Sequence, residues 1–320
     1  NITFTAKGVV LVIAPWNFPI AIPAGGVLAA LAAGNTVILK PAVQSRQIAT
    51  MMANCFWDAG VPKDAFQLIH TTDTDALTAL TSSPVIKHII FTGSTETAQK
   101  IKISNPNIPL SAETGGKNVI YVSDLCDDDM AIKSIVGSAF GHSGQKCSAC
   151  SVLLLNKAFY NDPTFLETLK DTAESLIVGT AFQLDTQFGP LTSPVTDKLK
   201  KAMKLDANET WLVEPKLDSS NPNLMTPGIK MGVTPNSYSF STELFGPLLS
   251  VCCVNDIEDA IQTANTLPYG LTSGIFSLDP REKEKWKNSV EAGNIYINRN
   301  VTGAVVQRQP FGGLKKSSFG

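Results

Sequence analysis

The sequence predicts an α/β fold with a Rossmann-type parallel sheet in one domain and a second α/β domain after it, and three observations carry that expectation. Short apolar runs alternate with longer amphipathic stretches, glycine-bearing turns punctuate them, and the alternation occurs in two successive series. In the first series the strand-like runs fall at 9–14, 37–39, 66–69 and 89–91, with helix-like stretches at 21–33, 44–59 and 73–81 between them. Strand, helix and strand in that order join by right-handed crossovers. The second series has strands near 119–122, 152–155 and 248–254 and helices near 130–140, 165–177 and 257–265. The glycine pair at 115–116 breaks the pattern between them, which predicts a domain over 1–114 and another over 115–320. Residues 219–238, rich in Pro, Asn and Ser, read as a surface loop, and no internal repeat is found.

Composition narrows the function. The chain has 320 residues, 17% of them charged, and a formal charge of −2 with no long basic run, so neither nucleic acid nor an anionic membrane is expected as a partner. A small molecule is. No apolar stretch has the length of a membrane span, and the start lacks the pattern of a signal peptide, which together predict a cytoplasmic protein. Six cysteines, including the adjacent Cys252 and Cys253, do not form the framework of a small disulfide-rich domain, so reduced thiols are the expectation. Asn1 leads directly into a strand-like segment without a methionine, as in a piece of a longer chain.

One of these thiols is set apart. Cys147 follows Gly144-Gln145-Lys146 and precedes Ser148-Ala149, a small polar turn between a helix and an apolar strand. That is where a scaffold presents a nucleophile, although a buried structural thiol is the commoner fate of a cysteine. Glu113, in Glu113-Thr114-Gly115-Gly116-Lys117-Asn118, offers a base, and Asn17, in Pro15-Trp16-Asn17-Phe18-Pro19, offers an amide donor or merely caps a turn. A thiol, a carboxylate and an amide suit acyl transfer. If the acyl group comes from an aldehyde, a hydrogen must first leave as hydride, which side chains cannot accept and a nicotinamide can. The Gly-x-Gly-x-x-Gly fingerprint is absent, but Gly93-Ser94-Thr95 after the strand at 89–91 can present backbone N–H groups to a phosphate at a helix start. Two alternatives arise nearby: His142 could pair with Cys147 in a thiol hydrolase, and Cys150, at CxxC spacing, could serve as a resolving thiol or metal ligand or point into the core. No second cysteine pair or histidine pair completes a metal site.

The motifs Pro15-Trp16-Asn17-Phe18-Pro19, Lys40-Pro41-Ala42, Phe91-Thr92-Gly93-Ser94-Thr95, Glu113-Thr114-Gly115-Gly116-Lys117, Gly144-Gln145-Lys146-Cys147, Glu243-Leu244-Phe245-Gly246-Pro247 and Pro310-Phe311-Gly312-Gly313 stand in the order found in the aldehyde dehydrogenase superfamily. The chain resembles that family along essentially its whole length. The resemblance implies an aldehyde dehydrogenase-like fold, with a partial dinucleotide-binding domain over 1–114 and a catalytic domain over 115–320. It makes Cys147 the nucleophile, Asn17 with the Cys147 backbone N–H the oxyanion hole, and Glu113 the general base. Lys40, Gly93, Ser94, Glu243 and Phe245 become cofactor contacts.

The segment 293–313 is more specific and resembles the glutamate γ-semialdehyde, or 1-pyrroline-5-carboxylate, dehydrogenase branch. That branch oxidises L-glutamate γ-semialdehyde to L-glutamate in proline catabolism, through a thiohemiacetal and a thioester. Its substrate contacts fall on Phe18, Lys146, Ser148, Gly303 and Ala304. Convergent N–H and hydroxyl donors suit an amino acid head, and small residues let the backbone approach it. The cofactor implied is NAD. Val43 replaces the glutamate that many NAD-using relatives carry after Lys40-Pro41-Ala42, which leaves NADP as an alternative with Arg46 near its phosphate. The resemblance further implies a homo-oligomeric parent, fused in some relatives to a proline dehydrogenase, and a chain here that lacks the family's N-terminal part and C-terminal oligomerisation segment. Another semialdehyde as substrate, or a fragment that does not turn over, are the competing expectations.

Overall fold

Every position of Val9–Ala14 is apolar, which leaves no polar face and suits a strand covered on both sides. In the computed structural model, which describes residues 3, 5–304 and 309–319, this strand, β1, lies inside a six-stranded sheet. Its neighbours are β2 (Thr36–Pro41), β3 (Phe66–Leu68), β4 (Ile86–Thr92) and β5 (Leu110–Glu113), in the order β5-β4-β1-β2-β3, all parallel. Helices α1 (Ala21–Ala32), α2 (Arg46–Asp58), α3 (Thr74–Ser82) and α4 (Thr95–Ser104) form the crossovers. Alternate residues of β1 serve opposite faces. Val10 and Val12 pack with Val27, Leu39 and Phe66, while Leu11 and Ile13 pack with Ile89, Phe91 and Ile101.

Contacts divide the chain into two compact units, 1–115 with 318–320 and 116–317. In the second unit β6 (Asn118–Val122), β7 (Cys150–Asn156), β8 (Thr210–Val213), β9 (Gly228–Met231), β10 (Leu248–Val254), β12 (Thr272–Phe276) and β13 (Asn294–Ile297) form a seven-stranded sheet. Its order is β13-β12-β6-β7-β10-β9-β8, and β8 alone runs antiparallel to its neighbour. A short pair, β11 (Tyr269–Gly270) with β14 (Leu314–Lys315), lies outside it, and β15 (Ser318–Phe319) returns to the first unit to pair antiparallel with β5. The helices are α5 (Asp128–Phe140), α6 (Lys157–Tyr160), α7 (Pro163–Glu174), α8 (Asp197–Ala202), α9 (Tyr238–Ser241), α10 (Ile257–Asn265) and α11 (Pro280–Ser289). Asp127, Asp162, Asp256 and Asp279 cap α5, α7, α10 and α11 by accepting from a first-turn N–H, and proline opens α7 and α11.

The stretch 219–238 is only in part the surface loop its composition predicts. It contains β9, whose four residues are all buried. A strand this short, carrying a lysine, gives no alternation to read. Lys230 is tolerated inside because its ammonium meets Glu209 at 2.9 Å and donates to the Lys204 carbonyl at 2.7 Å. Burial pushes the Glu209 carboxyl up, but the Asp206 N–H, Lys230 and Ser237 outweigh it and hold the carboxyl below its usual value.

Candidate active site

In the first unit, six residues marked in the sequence gather at the carboxyl ends of adjacent parallel strands. Asn17 and Phe18 lie on the turn after β1, Lys40 near the end of β2, Gly93 and Ser94 just past β4, and Glu113 at the end of β5. The register explains the gathering: Ile13 stands beside both Lys40 and Phe91, and Thr92 beside Glu113. The Gly93 N–H donates to the Glu113 carbonyl at 3.2 Å. In a sheet ordered this way the carboxyl ends at the reversal of strand order are where ligands bind.

The local chemistry suits a dinucleotide. Ser94 caps α4 by accepting from the Thr97 N–H at 3.2 Å, so the helix start is formed and faces outward with Ser94 exposed. Gly93 is required there, since a Cβ would stand 2.7 Å from the Phe91 ring. Between α3 and α4 a cavity of about 420 Å³ is lined by Thr74, Leu77, Thr78, Thr97, Lys100 and Ile101. That slot was missed in the sequence, where its only sign is threonines spaced a helical turn apart. Burial, and secondarily Arg46, pull the Lys40 ammonium below its usual value.

In the second unit Lys146, Cys147 and Ser148 precede the amino end of β7, Glu243 and Phe245 precede that of β10, and Gly303 and Ala304 follow β13. The turn that carries Cys147 begins with His142, Ser143 and Gly144 in left-handed conformation, φ 59°, 55° and 68°. Such a run costs energy for residues with a Cβ and persists only where neighbours hold it. Here Ser143 donates to the Gly189 carbonyl at 2.6 Å, and Gly144 fits so closely that a Cβ would stand 2.5 Å from the Gly246 carbonyl oxygen. The Cys147 turn thus packs on the Glu243 to Pro247 motif, in which Phe245 is also left-handed.

Asn118 ties the other side. Its side-chain amide, 2% exposed, donates to the Cys147 carbonyl at 2.7 Å and the Ala149 carbonyl at 2.8 Å, while its oxygen accepts from the Thr272 N–H at 3.0 Å. Thr272 in turn donates its hydroxyl to the Ser148 carbonyl at 3.2 Å. Gly116 presses against the Cys147 carbonyl, where a Cβ would collide, and its N–H donates to Glu243 Oε1 at 2.9 Å. Asn118, Thr272 and Gly116 were given no role in the sequence, because their partners are remote along the chain.

The thiols separate by environment. None of the six is in a disulfide. Burial pushes Cys126 and Cys150 up to about 12 and Cys252 to about 11, and it raises Cys253 as well. Cys150 donates to the Val152 carbonyl at 3.5 Å and belongs to the core, as an inert structural thiol does. Cys147 is half-buried, with Lys146 half-buried before it and Ser148 buried after it. Among the described residues no cluster of His, Cys, Asp and Glu could hold a metal ion, and no helix is long and apolar enough to cross a membrane.

The loop after β13 completes the second unit's set. Val301 is fully buried, its N–H accepted by Ser138 at 3.2 Å, and Gly303 lies under Arg299, whose guanidinium would stand 2.6 Å from a Cβ there. Ala304 is exposed. Arg299 also stacks on Tyr296, whose hydroxyl accepts from Gln309 at 3.1 Å. Burial raises the Tyr296 phenol, Gln309 and Arg299 pull it down, and Cys147 pushes it up, so ring, loop and thiol share one electrostatic neighbourhood. Residues 305–308 of this loop lie outside the described residues.

The first unit thus carries a parallel sheet of nucleotide-binding type, and the second a half-buried thiol on a tied turn. The sequence profile of the aldehyde dehydrogenase family matches residues 2–320, and the chain belongs to that family. Within it, the chain is 35% identical to a 1-pyrroline-5-carboxylate dehydrogenase of Bacillus cytotoxicus, over 98% of this chain and 63% of the relative. Among solved structures, proline utilization A from Corynebacterium freiburgense is 44% identical with a TM-score of 0.95, covering 99% of this chain and 33% of that one. The 1-pyrroline-5-carboxylate dehydrogenase of Thermus thermophilus is 35% identical with a TM-score of 0.90, covering 98% and 62%. The chain therefore spans about 63% of the length of the curated relatives it matches.

Proposed function

We propose that the protein carrying this chain oxidises L-glutamate γ-semialdehyde to L-glutamate with NAD as hydride acceptor. The observation that carries the reading is Cys147: a half-buried thiol on a left-handed turn whose carbonyl is held by Asn118 and Gly116. The similarity to 1-pyrroline-5-carboxylate dehydrogenases along 98% of the chain supports the choice of substrate.

In this reading the domain over 1–114 holds the dinucleotide and the domain over 115–320 holds the nucleophile. Gly93, Ser94 and the start of α4 take the phosphates, the slot between α3 and α4 takes the adenine, Lys40 takes a ribose hydroxyl, and Glu243 and Phe245 orient the nicotinamide end. Cys147 Sγ attacks the aldehyde carbon, and the carbonyl electron pair moves to oxygen, where Asn17 and the Cys147 N–H donate to it. A nicotinamide bound there would supply the hydride acceptor, and loss of hydride from this carbon would leave a thioester on Cys147. Glu113 then takes a proton from water, the water oxygen attacks the thioester carbon, and the carbon–sulfur bond breaks to release the acid. Phe18, Lys146, Ser148, Gly303 and Ala304 receive the amino acid head.

NADP is the second coenzyme to consider, on a specific observation. Arg46 lies near enough to Lys40 to depress it, Val43 brings no carboxylate, and two cations beside a ribose accommodate a 2′-phosphate. An NADP-bound relative from Bacillus halodurans is 30% identical with a TM-score of 0.90.

The test is reduced-coenzyme formation by the purified protein with glutamate γ-semialdehyde, propanal and succinate semialdehyde, each with NAD and NADP. Cys147→Ala is expected to lower turnover by roughly a thousandfold or more while NAD binding, measured by calorimetry, stays within about twofold. Faster turnover on propanal than on the amino acid semialdehyde would refute the substrate assignment. Unchanged selectivity in Ala304→Leu would remove Ala304 from it.

A further inference from the structure

Between Gly116 and Asn118, whose bonds account for their positions, sits Lys117, which those bonds do not explain. Its side chain is 2% exposed, and among the described residues its Nζ has no hydrogen-bond partner. A buried ammonium without a partner is among the costliest groups a fold can carry. Lys230 shows the contrast within the same unit, since it is equally buried yet meets Glu209 and a carbonyl. Burial drives the Lys117 ammonium down to about 7, opposed first by Glu243 and then by Cys150. The Cys150 thiol, pushed up to about 12 by burial, is the weaker of the two partners, and Glu243 is the acidic side chain.

We infer that Lys117 is a positioning residue for Glu243: its buried charge and the neighbouring Gly116 N–H together hold that carboxylate where a cofactor ribose hydroxyl donates to it. The inference deepens the proposed function and rests on its assignment of Glu243 to the cofactor. It explains why the fold keeps a charge where a methionine of the same length would fit at lower cost.

The decisive variant is Lys117→Met, made in the wild-type and Glu243→Gln backgrounds of the purified protein. Two results are expected in opposite directions: the melting temperature rises, and the NAD dissociation constant rises roughly tenfold. The gain in melting temperature is expected to be larger in the Glu243→Gln background, where the lysine has lost its counter-charge, and the double variant binds NAD no more weakly than the worse single variant. The rate at which iodoacetamide alkylates Cys147 is expected to stay unchanged. Lys117→Gln, which keeps a donor without the charge, is expected to bind NAD as Lys117→Met does.

A fall in melting temperature in Lys117→Met would identify a purely structural lysine and overturn the proposal. So would equal gains in the two backgrounds, losses of NAD affinity that add, or wild-type NAD binding by Lys117→Gln. If the wild-type protein takes up neither NAD nor NADP, the cofactor assignment fails by itself, and the two melting gains still decide whether Lys117 holds Glu243.

Discussion

The first unit's marked residues and the residues around Cys147 stand at opposite ends of their own strands. In the first unit Asn17, Lys40, Gly93, Ser94 and Glu113 follow the carboxyl ends of parallel strands, where turns lead into helix starts and the backbone itself supplies the donors. In the second unit Lys117, Asn118, Cys147 and Thr272 sit at or before the amino ends of strands, on an edge that offers no such helix starts. Side chains from far along the chain replace them: Asn118 reaches 29 residues to Cys147, and the Thr272 N–H reaches 154 residues back to Asn118. The strand ends of the first unit are thus shaped by local geometry, whereas the Cys147 turn needs long-range ties.

The sharpest way to break that comparison is Asn118→Ala. It orphans two buried carbonyls and one N–H, a loss on the order of 4 kcal/mol in stability, with kcat falling roughly a hundredfold as the Cys147 turn loosens. Chemical denaturation and steady-state kinetics measure the two losses, and an activity loss without a stability loss would contradict the tie. Gly116→Ala is the next largest: the added methyl meets the Cys147 carbonyl, so a cost of about 2 kcal/mol and a roughly tenfold drop in kcat are expected, with the aldehyde KM little changed. Ser94→Ala, on the local edge, is the smallest. Loss of the cap costs about 1 kcal/mol and weakens NAD a fewfold, while Cys147 alkylation stays at the wild-type rate.

The same division governs what was legible in the sequence. Val9–Ala14 announces a doubly covered strand by itself, and the Gly93 turn announces a helix start, because each depends on residues next to it. The Cys147 turn was visible as a motif, and the family resemblance supplied its role. Its supports were not, since Asn118 looks like any polar residue until β6, β7 and β12 come side by side. β9 escaped for a related reason: Lys230 disguises a buried strand, and Glu209, which makes it tolerable, stands 21 residues earlier. Likewise the slot between α3 and α4 exists only once two helices separated by a strand lie together.

The final short strand has a consequence for how the molecule comes into being. β15 bonds to β5 across 206 residues, so the sheet of the first unit is finished only after all of 116–317 has been made. On a growing chain the nucleotide-type sheet waits with the edge of β5 unpaired while the second unit assembles, and closing so long a loop is intrinsically slow. A fragment cut after residue 115 would keep that edge open and invite pairing with other chains, whereas one that carries 317–319 on a linker would cover it.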